Sequence, residues 1–123
     1  MSVPPAWVSA VFAAIDSKDA DRFASFVAED GVFIFGNAPM VEGRAAVHDL
    51  VAGFFASIRG LTHVVQDVSV DGERIWSRGT VIYVRHDGSS LVVPFCNYFE
   101  MHGEHIRRYQ IYVDASALHA GTR

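Results

Sequence analysis

The chain has 123 residues, of which 50% are hydrophobic and 12% aromatic, so it suits one compact domain, residues 1–123. Ten basic and fourteen acidic side chains give a net charge of −4, and Lys and Arg are nowhere clustered, so a nucleic-acid partner is not expected. A single cysteine, Cys96, excludes an intrachain disulfide, and no apolar run reaches the roughly 18 residues of a membrane span. We therefore expect a cytoplasmic protein with no membrane partner.

The N-terminal half of the chain predicts three helices and one short strand. Apolar residues at helical spacing predict a helix over 5–17. Asp19 is placed to cap a second, short helix, which the segment 29–31 ends. Aromatic and β-branched residues between turn residues predict a strand over 32–35. A further apolar stripe predicts a third helix over 47–58.

The C-terminal half predicts strands instead of helices. Four runs rich in Val, Ile, Tyr and Phe predict strands over 63–70, 74–85, 91–101 and 105–113. The Asp-Gly pairs between them favour tight hairpins and hence an antiparallel meander. Three helices followed by these strands predict an α+β fold, in which a curved antiparallel sheet wraps the helices as a cone with a cavity at its wide end. The last residues, 115–123, are predicted to be a partly ordered tail.

Five segments of the sequence form a pattern that is found in one superfamily. They are Phe35-Gly36-Asn37-Ala38-Pro39, Gly43-Arg44-Ala45-Ala46-Val47, His63, Gly103-Glu104-His105-Ile106 and Tyr112-Val113-Asp114. With them the chain resembles the cone-shaped α+β proteins that include nuclear transport factor 2, ketosteroid isomerase, limonene epoxide hydrolase, scytalone dehydratase and the SnoaL-like polyketide cyclases. The resemblance covers residues 5–116 and implies a small-molecule ligand and a homodimer packed sheet against sheet. It implies no single reaction, because these proteins place many chemistries in one cavity.

The resemblance argues against two of the superfamily's mechanisms. The catalytic aspartates of ketosteroid isomerases correspond to Phe35 and Cys96 here, and neither can exchange a proton as those aspartates do. For limonene epoxide hydrolases, Asn37 and Arg78 match a water-holding Asn and a bridging Arg. The catalytic aspartates of those enzymes are missing, one of them being replaced by Thr80. Epoxide hydrolysis by that mechanism is therefore not expected.

Two residues remain as candidate bases. His63 resembles in position a cavity histidine of scytalone dehydratase-type proteins, where an imidazole can take and return a proton at carbon. The alternative for His63 is a hydrogen-bonded or exposed histidine at a strand edge. Asp114 occupies the position of the basic aspartate of SnoaL-like cyclases, and an apolar cavity mouth would make it a usable base. Strand alternation allows the alternative that Asp114 points outward and binds a backbone amide or an arginine.

Arg78 is the third candidate catalytic residue, because a guanidinium in mid-strand needs a partner or a wet cavity. It could bind a carboxylate or enolate oxygen. On this interpretation Trp76 and Thr80 line the cavity on the same face, and Tyr98 supplies a hydroxyl from the next strand. The alternative is that the face bearing Arg78 is solvated and that Tyr83 points inward.

The remaining candidates would bind substrate. Phe33 and Phe35 belong to an aromatic set that is mostly core, part of which is expected to line an apolar pocket. Asn37, between a glycine and Ala38, either shapes a turn or orients a water or a carbonyl.

The leading hypothesis is a cofactor-independent enzyme, an isomerase, cyclase or dehydratase, that moves a proton at carbon in a small apolar or polyketide-like substrate. His63 or Asp114 would be the base, and Arg78, Tyr98 or Asn37 would stabilise the oxyanion. No metal is expected, since no two histidines have the spacing of a metal pair. The alternative is a non-catalytic ligand carrier or dimerisation module of the same fold.

Overall fold

In the computed structural model, which describes residues 5–119, three helices pack against one face of a curled six-stranded sheet. The helices are α1 (Pro5–Asp16), α2 (Ala20–Ser25) and α3 (Arg44–Ala56). The strands are β1 (Val27–Phe35), β2 (Val41–Glu42), β3 (Gly60–Asp71), β4 (Arg74–Val84), β5 (Ser90–His102) and β6 (His105–Val113), in the spatial order β2-β1-β6-β5-β4-β3. The predicted α+β class is confirmed. No helix within residues 5–119 is long and apolar enough to cross a membrane.

The four C-terminal strands form the predicted antiparallel meander. Each of β3, β4 and β5 pairs with the next strand along the chain. The sheet as a whole is mixed, however, because β1 runs parallel to β6 while β2 pairs antiparallel to β1. The first strand, which has nine residues instead of the predicted four, is thus joined to the last one, and the N-terminal helices lie over the inner face of the meander.

The segment that follows α2 differs from the sequence prediction. The predicted helix over Phe26 and Val27 and the stop after it are wrong, since α2 ends at Ser25 and β1 begins at Val27. The backbone N–H of Ile106 in β6 donates to the carbonyl of Phe26 at 2.7 Å. At Gly31 an added Cβ would lie 2.7 Å from the Ile106 carbonyl oxygen. Pairing with β6 therefore takes precedence over the short helical pattern.

A bulge divides the edge strand β3 into two halves. The register with β4 shifts between Val65 and Asp67, leaving Gln66 as the extra residue. Val65 lies opposite Gly79, where a Cβ would meet the carbonyl oxygen of Val64 at 1.9 Å, so only glycine fits. After the bulge Val68 lies opposite the buried Ser77, and the residues of β3 that face inward change from odd to even numbers.

The core lies between the helices and the inner face of the sheet. Phe99, fully buried on β5, stacks on Tyr109 with ring centroids 4.3 Å apart and meets the rings of Trp7 and Phe12 edge-on. The segment after β6 joins this core through Leu118, which is 1% exposed and whose carbonyl accepts from Nε of Arg85 at 2.8 Å. The predicted tail is thus docked as far as residue 119, and residues 120–123 lie outside the described part of the chain.

Candidate active site

The most specific polar contact inside the fold joins Asp16, the last residue of α1, to His63 on β3. Nδ1 of His63 lies 2.6 Å from one carboxylate oxygen of Asp16, and the backbone N–H of His63 donates to the other oxygen at 2.9 Å. The side chains are 9% exposed for His63 and 26% for Asp16. Both carboxylate oxygens of Asp16 therefore hydrogen-bond to His63. The pair forms only when α1 packs against the sheet.

This contact determines which nitrogen of His63 is available for chemistry. A carboxylate only accepts hydrogen bonds, so Nδ1 carries a proton and Nε2 keeps its lone pair in the neutral ring. Within residues 5–119, Nε2 has no hydrogen-bond partner. The ring is clamped between Phe12 and Phe95, with centroid distances of 4.8 and 5.1 Å. His63 is therefore an oriented base with a negative group behind it.

His63 forms part of the wall of an apolar cavity of about 150 Å³. The cavity lies between α3 and the inner face of the sheet, and among the described residues that line it three have polar side chains: His63, Tyr83 and Tyr109. The remaining lining residues are Ile15, Phe23, Phe33, Phe35, Ala38, Leu50, Val51, Phe54, Phe55, Leu61, Val81, Phe95 and Ile111. An engineered apolar cavity of about the same volume stays dry and holds benzene. The chamber therefore suits a neutral, largely apolar molecule of about one ring.

The two tyrosines of this chamber are held in their neutral form. Burial raises the pKa of Tyr83 to about 12, and burial raises the pKa of Tyr109 still further, with smaller contributions from Tyr83 and Asp16. A neutral phenol can donate a hydrogen bond. The Tyr109 oxygen also accepts from Nδ2 of the buried Asn97, at 3.3 Å. The chamber thus combines one base with two uncharged hydroxyl groups.

The Asp16–His63 pair also borders an open groove on the other side. This groove runs between α1 and the edge strand and is lined by Val8, Ser9, Phe12, Ala13, Asp16, His63, Val65 and Val68. The pair thus lies in the wall between the inner chamber and the surface. Water can reach Asp16 from the groove, while the chamber beyond His63 is apolar.

Phe33 and Phe35 line the chamber as the sequence predicts, but the predicted lining from β4 and β5 is wrong. Burial on β4 alternates so that the odd-numbered residues Ile75 to Tyr83 face the core. Trp76, Arg78, Thr80 and, on β5, Tyr98 project from the outer face.

The outer-face residues have partners there. Arg78 pairs with Asp67 at 2.5 Å, with about 60% of each side chain exposed. Tyr98 donates to Glu100 at 2.8 Å and contacts the ring of Trp76. An exposed guanidinium with a carboxylate partner needs no cavity, so the alternative placement of Arg78 holds.

Asn37 and Asp114 both lie in exposed turns and not in the chamber. Asn37 follows Gly36, whose φ of 54° forms the turn after β1. One oxygen of Asp114 accepts from the backbone N–H and the hydroxyl of Ser116, at 3.1 and 2.6 Å. These bonds lower the pKa of Asp114, which makes it a poor base. The alternative placement of Asp114, pointing outward and bonded to a backbone amide, is therefore the one that the structure has.

Sequence reasoning missed Asp16, the partner of the base. A carboxylate at the C-terminal end of a helix faces the negative end of the helix dipole, which is unfavourable without a compensating partner. The position of Asp16 at the end of α1 was the one local indication in the sequence that its carboxylate has a partner. Within residues 5–119 there is no group of three His, Cys, Asp or Glu side chains that could hold a metal ion.

The fold is thus a curled sheet packed on three helices around an apolar chamber, with an Asp–His pair in the chamber wall. The chain belongs to the SnoaL-like domain family, whose model matches residues 8–109. A comparison with curated proteins found no match.

Several solved structures share this fold at low sequence identity. A protein of ketosteroid isomerase-like fold from Catenulispora acidiphila, in complex with trimethylamine, is 19% identical with a TM-score of 0.81, covering 89% of this chain and 86% of that one. A protein provisionally assigned as a polyketide cyclase from Xanthomonas campestris is 23% identical, with a TM-score of 0.77 over 96% and 95% of the two chains. An epoxide hydrolase of limonene epoxide hydrolase type from M. tuberculosis is 17% identical, with a TM-score of 0.78 over 90% and 82%.

Proposed function

We propose that the protein is a cofactor-independent enzyme that removes and returns a proton at carbon in a small, neutral, largely apolar substrate, as an isomerase, cyclase or dehydratase does. The observation that carries this proposal is the Asp16–His63 pair in the wall of the apolar chamber. Membership of the SnoaL-like family and the fold shared with a provisionally assigned polyketide cyclase support it.

In this proposal Nε2 of His63 is the general base. When it takes a proton from the substrate, the ring becomes an imidazolium, and the carboxylate of Asp16 stabilises that charge at 2.6 Å. Asp16 fixes the ring orientation through its bond to Nδ1, and the rings of Phe12 and Phe95 pack against the imidazole. His63 then returns the proton to another atom of the same substrate, so no external co-reactant is needed.

The uncharged lining of the chamber favours the binding of a neutral substrate over that of an anion. Among residues 5–119, none of the side chains that line the chamber is Lys, Arg, Asp or Glu. A charged substrate would lose its hydration without gaining an ion-pair partner, which costs several kcal/mol. The aromatic wall, which includes Phe33, Phe35 and Phe54, offers contact area to a flat apolar ring instead.

Hydrogen–deuterium exchange tests this function directly. The protein is incubated in D₂O with a panel of neutral single-ring ketones and 1,3-diketones, and exchange at the acidic carbon is followed by NMR. We expect protein-dependent exchange that His63→Gln lowers by about 10²- to 10⁴-fold. Asp114→Asn is the matched control and leaves the rate unchanged. Absence of exchange for every member of the panel, or equal rates in His63→Gln, would contradict the proposal.

The second candidate function is a non-catalytic ligand carrier. The observation that favours it is that Arg78, Asn37 and Asp114 lie outside the chamber, which leaves few polar groups inside. A carrier would bind single-ring ligands in the chamber and show no proton exchange. Binding without exchange across the panel would therefore select this function.

We also propose a homodimer formed by the outer face of the sheet. Apolar side chains are exposed there on four strands, namely Val64, Trp76, Val92 and Tyr112, with exposed fractions of 36 to 60%. A second copy of the same face would bury them, sheet against sheet. Light scattering should give twice the mass of one chain at micromolar concentration, whereas the mass of one chain would contradict a dimer. A cytoplasmic location, tested by cell fractionation, completes the proposal.

A further inference from the structure

One end of the apolar chamber is open to the surface. Among the described residues that line the chamber, two have exposed side chains, namely Ala38, in the loop between β1 and β2, and Leu50, on α3. Leu50 is 43% exposed, although a leucine that lines a closed cavity is normally buried. We call the part of the lining formed by Ala38 and Leu50 the mouth of the chamber, since its exposure marks it as the entrance for ligands.

Contacts between β1 and α3 hold the two sides of the mouth together. The rings of Phe35, at the end of β1, and Phe54, one helical turn after Leu50, have centroids 5.3 Å apart. The backbone N–H of Ala38 donates to the carbonyl of Phe35 at 2.9 Å, which ties the loop to the end of β1. Ala38 and Leu50 therefore belong to the same end of the chamber, one on the loop and one on the helix.

The mouth and His63 lie at opposite ends of the chamber. Ala38 follows β1, whereas His63 is on β3, and strands β6, β5 and β4 lie between these two strands in the sheet. Each intervening strand contributes to the lining, for example through Ile111, Phe95 and Val81. The chamber therefore extends across the inner face of the sheet from the mouth to the proposed base. A ring that brings its acidic C–H to His63 has its opposite side directed toward the mouth.

The chemistry of the mouth favours an apolar substituent at that position. Both mouth residues are aliphatic, and Met40, two residues after Ala38, is 53% exposed. Ala38 has the smallest side chain among the described residues of the lining, so it leaves the most room. An alkyl chain there would remove apolar surface of both ligand and protein from water. A charged or hydroxylated group would gain no hydrogen-bond partner from either mouth side chain.

We propose that Ala38 and Leu50 determine the specificity of the chamber, and that its substrate class is a neutral ring compound with an alkyl chain on the side opposite to the acidic C–H. The ring occupies the chamber beside His63, and the chain leaves through the mouth. The direction of the ring rests on the proposed function of His63, whereas binding of the chain at the mouth does not. Ala38 and Leu50 act on binding and take no part in the proton transfer.

Cyclohexanones that differ in one alkyl chain test this inference. Binding of cyclohexanone and 4-pentylcyclohexanone is measured by NMR titration. Since each buried CH₂ tightens binding about three- to fourfold, we expect the 4-pentyl compound to bind at least about tenfold more tightly. 2-Pentylcyclohexanone carries its chain beside the carbonyl, so it cannot place the chain in the mouth and its acidic C–H at His63 together. Its protein-dependent proton exchange should be at least about tenfold slower than that of the 4-pentyl isomer.

Two substitutions should weaken binding of the chain and spare binding of the ring. Ala38→Phe narrows the mouth, and Leu50→Ser makes it polar. Each should weaken binding of 4-pentylcyclohexanone at least about fivefold and leave cyclohexanone binding within about twofold, which a loss of folding would not do. Ala45→Phe is the matched control, because this position is exposed on α3 outside the chamber lining, and it should change neither affinity.

Equal affinity for cyclohexanone and 4-pentylcyclohexanone would overturn the inference. It is also overturned if Ala38→Phe and Leu50→Ser both weaken the two ligands to the same extent, or if the 2-pentyl isomer exchanges as fast as the 4-pentyl isomer.

The same experiment separates this inference from the proposed function. Chain-dependent binding that the mouth variants abolish, together with no proton exchange, would keep the mouth as a binding site and remove His63 as the base. Exchange that depends on His63, together with binding that is independent of the chain, would keep the base and remove the role of the mouth.

Discussion

The carboxylate of Asp16 contacts the imidazole of His63 at 2.6 Å across 47 residues of chain. The contact joins the C-terminal end of α1 to the edge strand of the sheet. The unfavourable position of a carboxylate at that helix end is offset by two hydrogen bonds to one residue. One interaction therefore attaches the helix and orients the proposed base.

Removal of the Asp16 carboxylate should weaken both the attachment of α1 and the orientation of His63. Asp16→Asn keeps the shape but removes the negative charge behind the ring, and it can present its amide nitrogen to Nδ1 of His63, which would require the other ring tautomer. We expect the exchange rate to fall by at least about tenfold, and the free energy of unfolding in urea by about 1 to 3 kcal/mol. Asp19→Asn, at an exposed helix cap, serves as the stability control. An Asp16→Asn variant with the wild-type exchange rate would disprove the role of the pair.

Arg78 should be dispensable for the chemistry. It lies on the outer face in an exposed ion pair with Asp67, and such pairs contribute about 0 to 1 kcal/mol. Arg78→Ala should therefore change the unfolding free energy by less than about 1 kcal/mol and leave proton exchange within about twofold. If a folded Arg78→Ala variant lost most of its proton exchange, Arg78 would have a role in the reaction and this prediction would be wrong.

Gly79 should tolerate no side chain. A Cβ there would lie 1.9 Å from the carbonyl oxygen of Val64, on rigid backbone next to the bulge. Gly79→Ala should lower the unfolding free energy by about 1 to 3 kcal/mol or prevent folding. Gly53→Ala, in α3 with open space around it, is the matched control and should be neutral or stabilising. Urea denaturation of both variants makes the comparison.

Alkaline pH should destabilise the fold through Tyr83. Its pKa rises from 10 to about 12 on burial, so the folded state holds a proton that the unfolded state releases between these values. The contribution is complete below pH 10 and is lost as pH rises through about 12. Tyr83→Phe should reduce the loss of unfolding free energy over this range by about 2 to 3 kcal/mol. Asp114→Asn, an exposed residue outside the chamber, is the control and should keep the wild-type profile between about pH 9 and 12.

Mild acid should strengthen the contact between α2 and α3. Asp49 and Asp21 hydrogen-bond His48 at 3.0 and 2.7 Å and raise its pKa above 6.5. A raised histidine pKa stabilises the fold below the unfolded value, and the effect is lost as pH rises through the folded value. The difference in unfolding free energy between wild type and His48→Gln should therefore be larger at pH 5.5 than at pH 8.5. An equal difference at both pH values would contradict this.

The sequence predicted the elements of the fold well and the direction of its side chains less well. Helix periodicity and hairpin turns are local, so α1, α3 and the meander could be derived from them. On β4, however, Trp76 and Ile82 outside are as apolar as Ile75 and Val81 inside, so alternation alone could not decide which face is buried. The Asp16–His63 pair depends on how α1 docks, which no local pattern contains.

The bulge at Gln66 inserts one extra residue into the edge strand β3. It therefore exchanges which positions, odd or even, face the core in the rest of the strand. Residues before it face the core at odd positions and residues after it at even positions, although the pairing with β4 resumes at once. Loss of Gln66 would shorten the chain without turning His63 or Asp67 to the other face, and it would relieve the demand for glycine at Gly79. The length of this strand and the residue at position 79 are therefore expected to vary together among relatives, while the orientation of the base is kept.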